Sequence, residues 1–332
     1  MDLQQRLNLL VQLGEYILSA PSSWLSAKEK AYRENNWFTP EFIDKSASAI
    51  ALNFLSQNNL SALINTYNIP ATKNNPANVG IVMAGNLPLV GFHDFLCTFL
   101  AGHHQTIKLS SKDNVLLPHL IEWLIEKAPE LRDEIRFSDM LKGCDAYIAT
   151  GSNNSARYFE YYFSKFPHII RKNRTAVAVV TGHESSEELG LLADDVYTYF
   201  GLGCRNVTKI YVPAGYNFEQ LLQAFKKYNY LFDHHKYKNN YDYQLALLLL
   251  NNKFYMTDGS IILQESESIF SPISLLNYEF HADPVSLVPE LKANESVQCV
   301  VGAGGVPFGR AQQPGLTDFA DGVDTLQFLL SF

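Results

Sequence analysis

Over residues 1 to about 72, apolar positions recur three and four apart, the spacing of amphipathic helices. Asn-rich breaks near 57–59 and 73–75 punctuate them. From Asn78 the texture changes. Val79-Gly80-Ile81-Val82-Met83 is nearly continuous in apolar residues, as a strand buried on both faces requires. A helix is expected from Leu89 to Leu100, closed by Gly102, then a strand over Thr106–Leu109 and a helix over about Val115–Lys127. A third strand, Ala146–Ala149, runs into Thr150-Gly151-Ser152 and a further helix reaching about Phe163. Ala176–Val180 reads as a fourth strand of the same sheet. This alternation predicts a doubly wound α/β dinucleotide-binding sheet. Beyond Thr181 the pattern predicts a second α/β lobe. It has a helix over Glu184–Phe200, a loop at Gly201–Cys204, and a strand over Lys209–Val212. A helix over Tyr241–Leu250 follows, then strands at Ser260–Gln264 and Ile273–Leu276, and a strand or helix over Val323–Leu330. The expected division is a helical segment 1–75 packing on the cofactor lobe, a dinucleotide-binding domain 76–180, a Cys-bearing domain 181–310 and a C-terminal segment 311–332.

Composition narrows the class. The 332 residues are 47% hydrophobic and 18% charged, enough apolar material for two cores. A net charge of −8, with basic runs no longer than Arg171-Lys172-Asn173-Arg174 and Lys226-Lys227, argues against a nucleic-acid partner. The longest apolar run, Leu245–Leu250, is too short to span a bilayer, and Met1–Tyr16 reads as an amphipathic helix rather than a secretory signal. Cys97, Cys144, Cys204 and Cys299 are scattered, with neither a redox CxxC nor zinc spacing. A cytoplasmic location and no metal are expected.

Cys204 lies in a glycine-bounded loop beside Arg205, where a nearby cation would favour the nucleophilic thiolate. A small buried hydrophobe is the plainer reading of such a cysteine. Asn86 follows the first strand of the sheet; it is an oxyanion donor or an Asn in an ordinary turn before Pro88. Gly151-Ser152 is a phosphate cradle at a helix start or a common helix cap.

The order of these features resembles the aldehyde dehydrogenase superfamily. GNLPLVGFHDFLCTFLAGHHQTIKLSSKDN (85–114) is similar to its Asn loop, helix and following strand, and TGSNNSARYF (150–159) to its turn over the cofactor pyrophosphate. FGLGCRN (200–206) resembles its catalytic Cys loop, ESIFSPISLL (267–276) its strand near the nicotinamide, and the glycines at 302–309 its late Gly-Phe-Gly region. The resemblance implies Asn86 as oxyanion donor, Lys108 at the adenosine ribose, Gly151 and Ser152 at the diphosphate, Cys204 as nucleophile and Phe270 beside the nicotinamide. Without it, Lys108 is a strand-end charge and Phe270 a core aromatic. The general-base Glu of the hydrolytic members is missing; Pro167–Asn173 stands in that region and offers His168 as a substitute acid/base or as a plain loop histidine. At the nicotinamide-ribose carboxylate the chain has Ser268, with Glu267 beside it. RKNRTAVAVV (171–180) and GLGCRNVTKIYVP (201–213) are most similar to LuxC-type fatty acyl-CoA reductases. That resemblance implies an NADPH- or NADH-dependent reduction of an acyl-CoA, or another acyl thioester, to an aldehyde. An acyl-transferring protein is an implied partner. An acyl-phosphate reductase, an aldehyde dehydrogenase, a cofactor-free acyl carrier and a non-catalytic interaction protein remain as alternatives.

Overall fold

The computed structural model describes all 332 residues. Two compact units emerge: residues 1–173 with 314–332, and residues 174–313.

The first unit begins with four helices, α1 (Leu3–Ser19), α2 (Ser22–Glu34), α3 (Pro40–Ala49) and α4 (Gln57–Tyr67). Their starts are written in the sequence. Asp2 and Gln5 form a capping box on α1, while Thr39 and Ser56 accept backbone N–H bonds at α3 and α4. The chain then alternates through β1 (Asn78–Val82), α5 (Phe92–Leu100), β2 (His104–Lys108), α6 (Leu116–Lys127), α7 (Leu131–Glu134), β3 (Ile135–Phe137), β4 (Ala146–Thr150), α8 (Asn153–Phe163) and β5 (His168–Arg171). The sheet is wholly parallel in the order β3-β2-β1-β4-β5. Leu7, Leu10 and Leu13 of α1 share one core with Phe95 and Phe99 of α5 and Leu120 and Leu124 of α6, so the N-terminal helices cover one side of this sheet. Leu326 and Leu329, near the C-terminus, join the same core.

The second unit carries β6 (Thr175–Val179), α9 (Ser186–Tyr197), β7 (Val207–Pro213), α10 (Phe218–Phe225), α11 (His235–Leu250), β8 (Met256–Thr257), β9 (Ile262–Glu265), β10 (Leu275–His281), α12 (Val288–Ala293) and β11 (Val297–Gly302). Residues 325–330 form α13, which belongs to the first unit. The second sheet has the order β11-β6-β7-β10-β9-β8, with only β8 antiparallel. The strand expected as the fourth of the first sheet is therefore β6, a strand of the second sheet that pairs with β7 and β11. Its place beside β4 is taken by β5, whose two isoleucines between His168 and Arg171 give too short an apolar run to stand out. No helix is long and apolar enough to cross a membrane.

The folds of both units place loops at fixed edges of parallel sheets, and the candidate site residues sit on those loops except Lys108, which ends β2, and His168, which begins β5.

Candidate active site

In the first unit, β2 lies on one side of β1 and β4 on the other. Loops leaving the carboxyl ends of β1 and β4 therefore diverge around a crevice, the place where open α/β sheets bind ligands. Asn86 stands in the loop after β1, and Gly151-Ser152 follows β4. The loop around Asn86 is pinned on both sides. A Cβ on Gly85 would come within 2.5 Å of the Ser110 hydroxyl, so only glycine lets these segments approach so closely. The Leu89 N–H donates to Asp113 Oδ2 (2.7 Å), and the Ser46 hydroxyl donates to the Pro88 carbonyl (2.7 Å). Burial pushes the Asp113 carboxyl up to about 7 against the pull of the Leu89 hydrogen bond, and its Oδ1 is buried without a partner.

Ser152 caps α8, its hydroxyl accepting from the Ser155 N–H at 3.2 Å. A Cβ on Gly151 would meet Ser155 and Phe159 at 2.9 Å, so the helix start is drawn tightly against the strand end. The first turn of α8 holds no carboxylate. These features suit a diphosphate, because helix-start N–H groups and the helix dipole both favour an anion. Lys108 is the exposed last residue of β2.

His168 is placed elsewhere. It is the first residue of β5, paired with Tyr147, whereas Arg171 pairs with Thr150 at the carboxyl edge. That register leaves His168 roughly 10 Å back along the sheet, at about 3.3 Å per residue. It is exposed, and its Nδ1 donates to the Phe166 carbonyl at 2.8 Å. The sheet brings Asn86, Gly151 and Ser152 to one edge and does not bring His168 with them.

In the second unit, α9 ends in a tight 3-10 turn, Thr198–Gly201, with Tyr199 and Phe200 both at φ 57°. A β-turn from Gly203 to Asn206 follows, closed by the Asn206 N–H on the Gly203 carbonyl at 3.1 Å. Cys204 occupies its first corner and is exposed. The other three thiols are withdrawn. Burial pushes Cys97 far up and Cys144 up, and drives Cys299 to about 11 against the pull of the Arg205 guanidinium. Thiols so raised make poor nucleophiles at neutral pH.

Phe270, 42% exposed, is not a core aromatic. It ends a segment gripped by side chains of β7 and β10. Lys209 donates to the Glu267 carbonyl (2.8 Å), Thr208 to Ile269 (2.5 Å), and Asn277 to Ser268 (2.9 Å) and Phe270 (3.0 Å). The Ser268 hydroxyl is spent on the Phe270 carbonyl at 2.9 Å. Lys209 is fully buried, paired with Glu279 and set over the Tyr211 ring at 4.8 Å. Gly302 needs its left-handed φ of 89°, since a Cβ there would lie 2.4 Å from the Val179 carbonyl.

Sequence reasoning missed Asp113, Lys209, Asp195 and Asn206. A lone Lys inside the apolar run Val207–Val212 was the visible signal for Lys209. Asp113 and Asp195 gain their partners from distant segments, and Asn206 gains its own where the chain folds back from the end of α9, which residue spacing alone does not announce.

No protein-family model matches the sequence, and no curated protein matches it. Solved structures do. An NAD-dependent aldehyde dehydrogenase from Sinorhizobium meliloti superposes with TM-score 0.64 over 94% of this chain and 72% of its own, at 11% identity. The indole-3-acetaldehyde dehydrogenase of P. syringae, solved with NAD+, gives 0.65 over 91% and 72%, at 10% identity. Aldehyde dehydrogenase 21 from Physcomitrella patens, solved with succinate, gives 0.64 over 91% and 74%, at 12% identity. The chain has the aldehyde dehydrogenase fold.

Proposed function

We propose that this chain is an NAD(P)H-dependent acyl-CoA reductase that forms a thioester on Cys204 and releases an aldehyde. The observation that carries the reading is the contrast among the four cysteines. Cys204 is exposed at a turn corner in the loop that resembles the family's nucleophile loop, and the other three are withdrawn and raised by burial. The fold is that of enzymes that include NAD-dependent aldehyde dehydrogenases.

In this mechanism the Cys204 thiolate attacks the carbonyl carbon of the acyl thioester. The Asn86 amide and the Cys204 backbone N–H donate to the oxyanion that develops. The C–S bond to CoA breaks, and the departing thiolate takes its proton from water, since β5 sets His168 at the other edge of the first sheet. Ser152 at the start of α8 would hold the diphosphate of NAD(P)H, Lys108 would serve its ribose and Phe270 its nicotinamide, and the bound cofactor would supply the hydride that reduces the Cys204 thioester. The thiohemiacetal oxyanion so formed re-forms its carbonyl and expels the Cys204 thiolate, giving the aldehyde. No general-base Glu occupies Pro167–Asn173, and without one water is poorly activated against the thioester, which favours exchange with a thiol. The acyl donor is an acyl-CoA, a fatty one included, or a thioester delivered by an acyl-transferring protein.

The oxidative direction is the second reading, favoured by the dehydrogenases that share the fold. One experiment separates the two. Purified protein is mixed with NADPH or NADH and a panel of acyl-CoAs, and cofactor oxidation and aldehyde are followed for wild type and Cys204→Ala. Oxidation with aldehyde release, lost in Cys204→Ala, supports the reductase. Aldehyde-dependent NAD+ reduction with no reaction of any acyl thioester supports the dehydrogenase instead.

A further inference from the structure

Asn206 follows Cys204 by two residues, and its side chain is fully buried. Its amide oxygen accepts the Gly203 N–H at 2.7 Å. Its amide nitrogen donates to the carbonyls of Asp195 (3.0 Å), Val196 (3.2 Å) and Thr198 (2.8 Å). Those carbonyls belong to the C-terminal end of α9, where helical partners run out and a buried end must be satisfied from elsewhere. The left-handed step at Tyr199 and Phe200 folds the chain back so that one side chain reaches them.

The turn that carries Cys204 is thus closed twice by one residue. The Asn206 backbone N–H bonds to the Gly203 carbonyl, and the Asn206 side chain takes the Gly203 N–H. On its far side the Asn206 carbonyl accepts from the Ala176 N–H (3.0 Å) and the Thr175 hydroxyl (3.1 Å), which ties the turn to β6. Asp195 extends the hold. Its carboxylate accepts from the N–H groups of Gly309 (2.7 Å) and Ala311 (3.0 Å), so the α9 end that Asn206 grips is also the anchor of the late glycine loop.

We infer that Asn206 is a positioning residue that fixes the direction in which the Cys204 thiol is presented. The assignment rests on the reading of Cys204 as nucleophile. Asparagine alone among side chains of this size offers both the acceptor that Gly203 needs and the donors that the three carbonyls need. Aspartate keeps the acceptor and sets a second oxygen against those carbonyls. Alanine leaves all four backbone groups buried without this partner, which is destabilising as well as loosening.

The test uses full-length wild type, Asn206→Ala, Asn206→Asp and Asn206→Gln. Four quantities are measured on each: the melting temperature, Cys204 alkylation by iodoacetamide, Cys204 acylation by short- and long-chain acyl-CoAs, and KM for NAD(P)H. A small reagent needs only an accessible thiol, whereas acyl transfer needs it aimed, and misplacement by about 1 Å can cost a hundredfold. The expected result in folded variants is acylation slowed about tenfold or more, with alkylation within about threefold of wild type and KM for NAD(P)H unchanged. Should the alanine variant not fold, the aspartate and glutamine variants decide. A folded variant acylated at the wild-type rate overturns the assignment, and so does equal loss of alkylation and acylation, which marks general collapse of the loop. If wild-type Cys204 is alkylated but takes no acyl group from any thioester, it is the nucleophile reading that fails, not the role of Asn206 within it.

Discussion

The two units hold their candidate residues at opposite ends of their strands, by different means. In the first, Asn86, Gly151 and Ser152 lie beyond the carboxyl ends of β1 and β4, and Lys108 ends β2. In the second, Cys204 precedes the amino end of β7, on a turn closed by the side chain of Asn206. In a parallel sheet every strand delivers its outgoing loop to the same edge, so the first arrangement follows from topology, and local contacts only tune it. The same topology puts every loop that enters a strand at the opposite edge, but it does not fix the direction in which that loop turns its side chains. The Cys204 turn therefore needs dedicated hydrogen bonds, and the structure supplies them through a buried amide.

The largest effect expected in the first unit concerns Asp113, which fixes the Asn86 loop through Leu89. Its folded carboxyl stands at about 7 against an ordinary 3.8, so between those values the folded chain keeps a proton that the unfolded chain has released. Stability should fall as pH rises from about 4 to about 7 and stay low above that, by at most about 4 kcal/mol. Asp113→Asn cannot titrate and should lack that slope; chemical denaturation at pH 5 and pH 8 measures the difference, and an identical slope in both proteins removes Asp113 from the account.

Asn86→Ala follows. Loss of one oxyanion donor should slow acylation by about 3 kcal/mol, on the order of a hundredfold, while cofactor affinity holds. Equal loss of both would show that the residue shapes the loop instead. Ser152→Ala removes the cap on α8 and should cost about 1 kcal/mol in thermal stability, with a rise in KM for NAD(P)H and little change in the acylation rate. The smallest effect should come from His168→Ala, since the register of β5 sets that residue at the other edge of the sheet from Asn86. If His168→Ala proves as damaging as Asn86→Ala in pre-steady-state acylation, the carboxyl edge is not where the first unit acts.

How much of this could be read in the sequence follows the same division. The β1-α5-β2 and β4-α8 segments were legible because parallel strands buried on both faces are continuous apolar runs ended by turn residues. The same property hid which sheet a strand joins: Thr175–Val179 looks like any other buried strand, and only its pairing with Val207–Tyr211 and Val297–Gly302 places it. β3 has three residues and β5 two apolar ones, too little for a pattern. Arg171, which opens the basic run Arg171-Lys172-Asn173-Arg174, is buried with both oxygens of Asp94 on its Nη1 at 2.8 and 2.7 Å. That pair spans much of the first unit's sequence, and no local spacing announces it. Cys204 and Asn86 were visible as turn residues at strand boundaries, but the hydrogen bonds that hold their loops come from Asn206, Asp113 and Ser46, which only the folded chain assembles.

The most direct test of the account is to find where the acyl group goes. Wild-type protein is incubated with acyl-CoAs in the absence of nicotinamide cofactor, quenched in acid, digested and analysed by mass spectrometry. The expected result is an acyl adduct confined to the peptide that bears Cys204, discharged as aldehyde when NADPH or NADH is added. An adduct on Cys97, Cys144 or Cys299, or an acyl-enzyme on Cys204 that neither cofactor discharges, would contradict it.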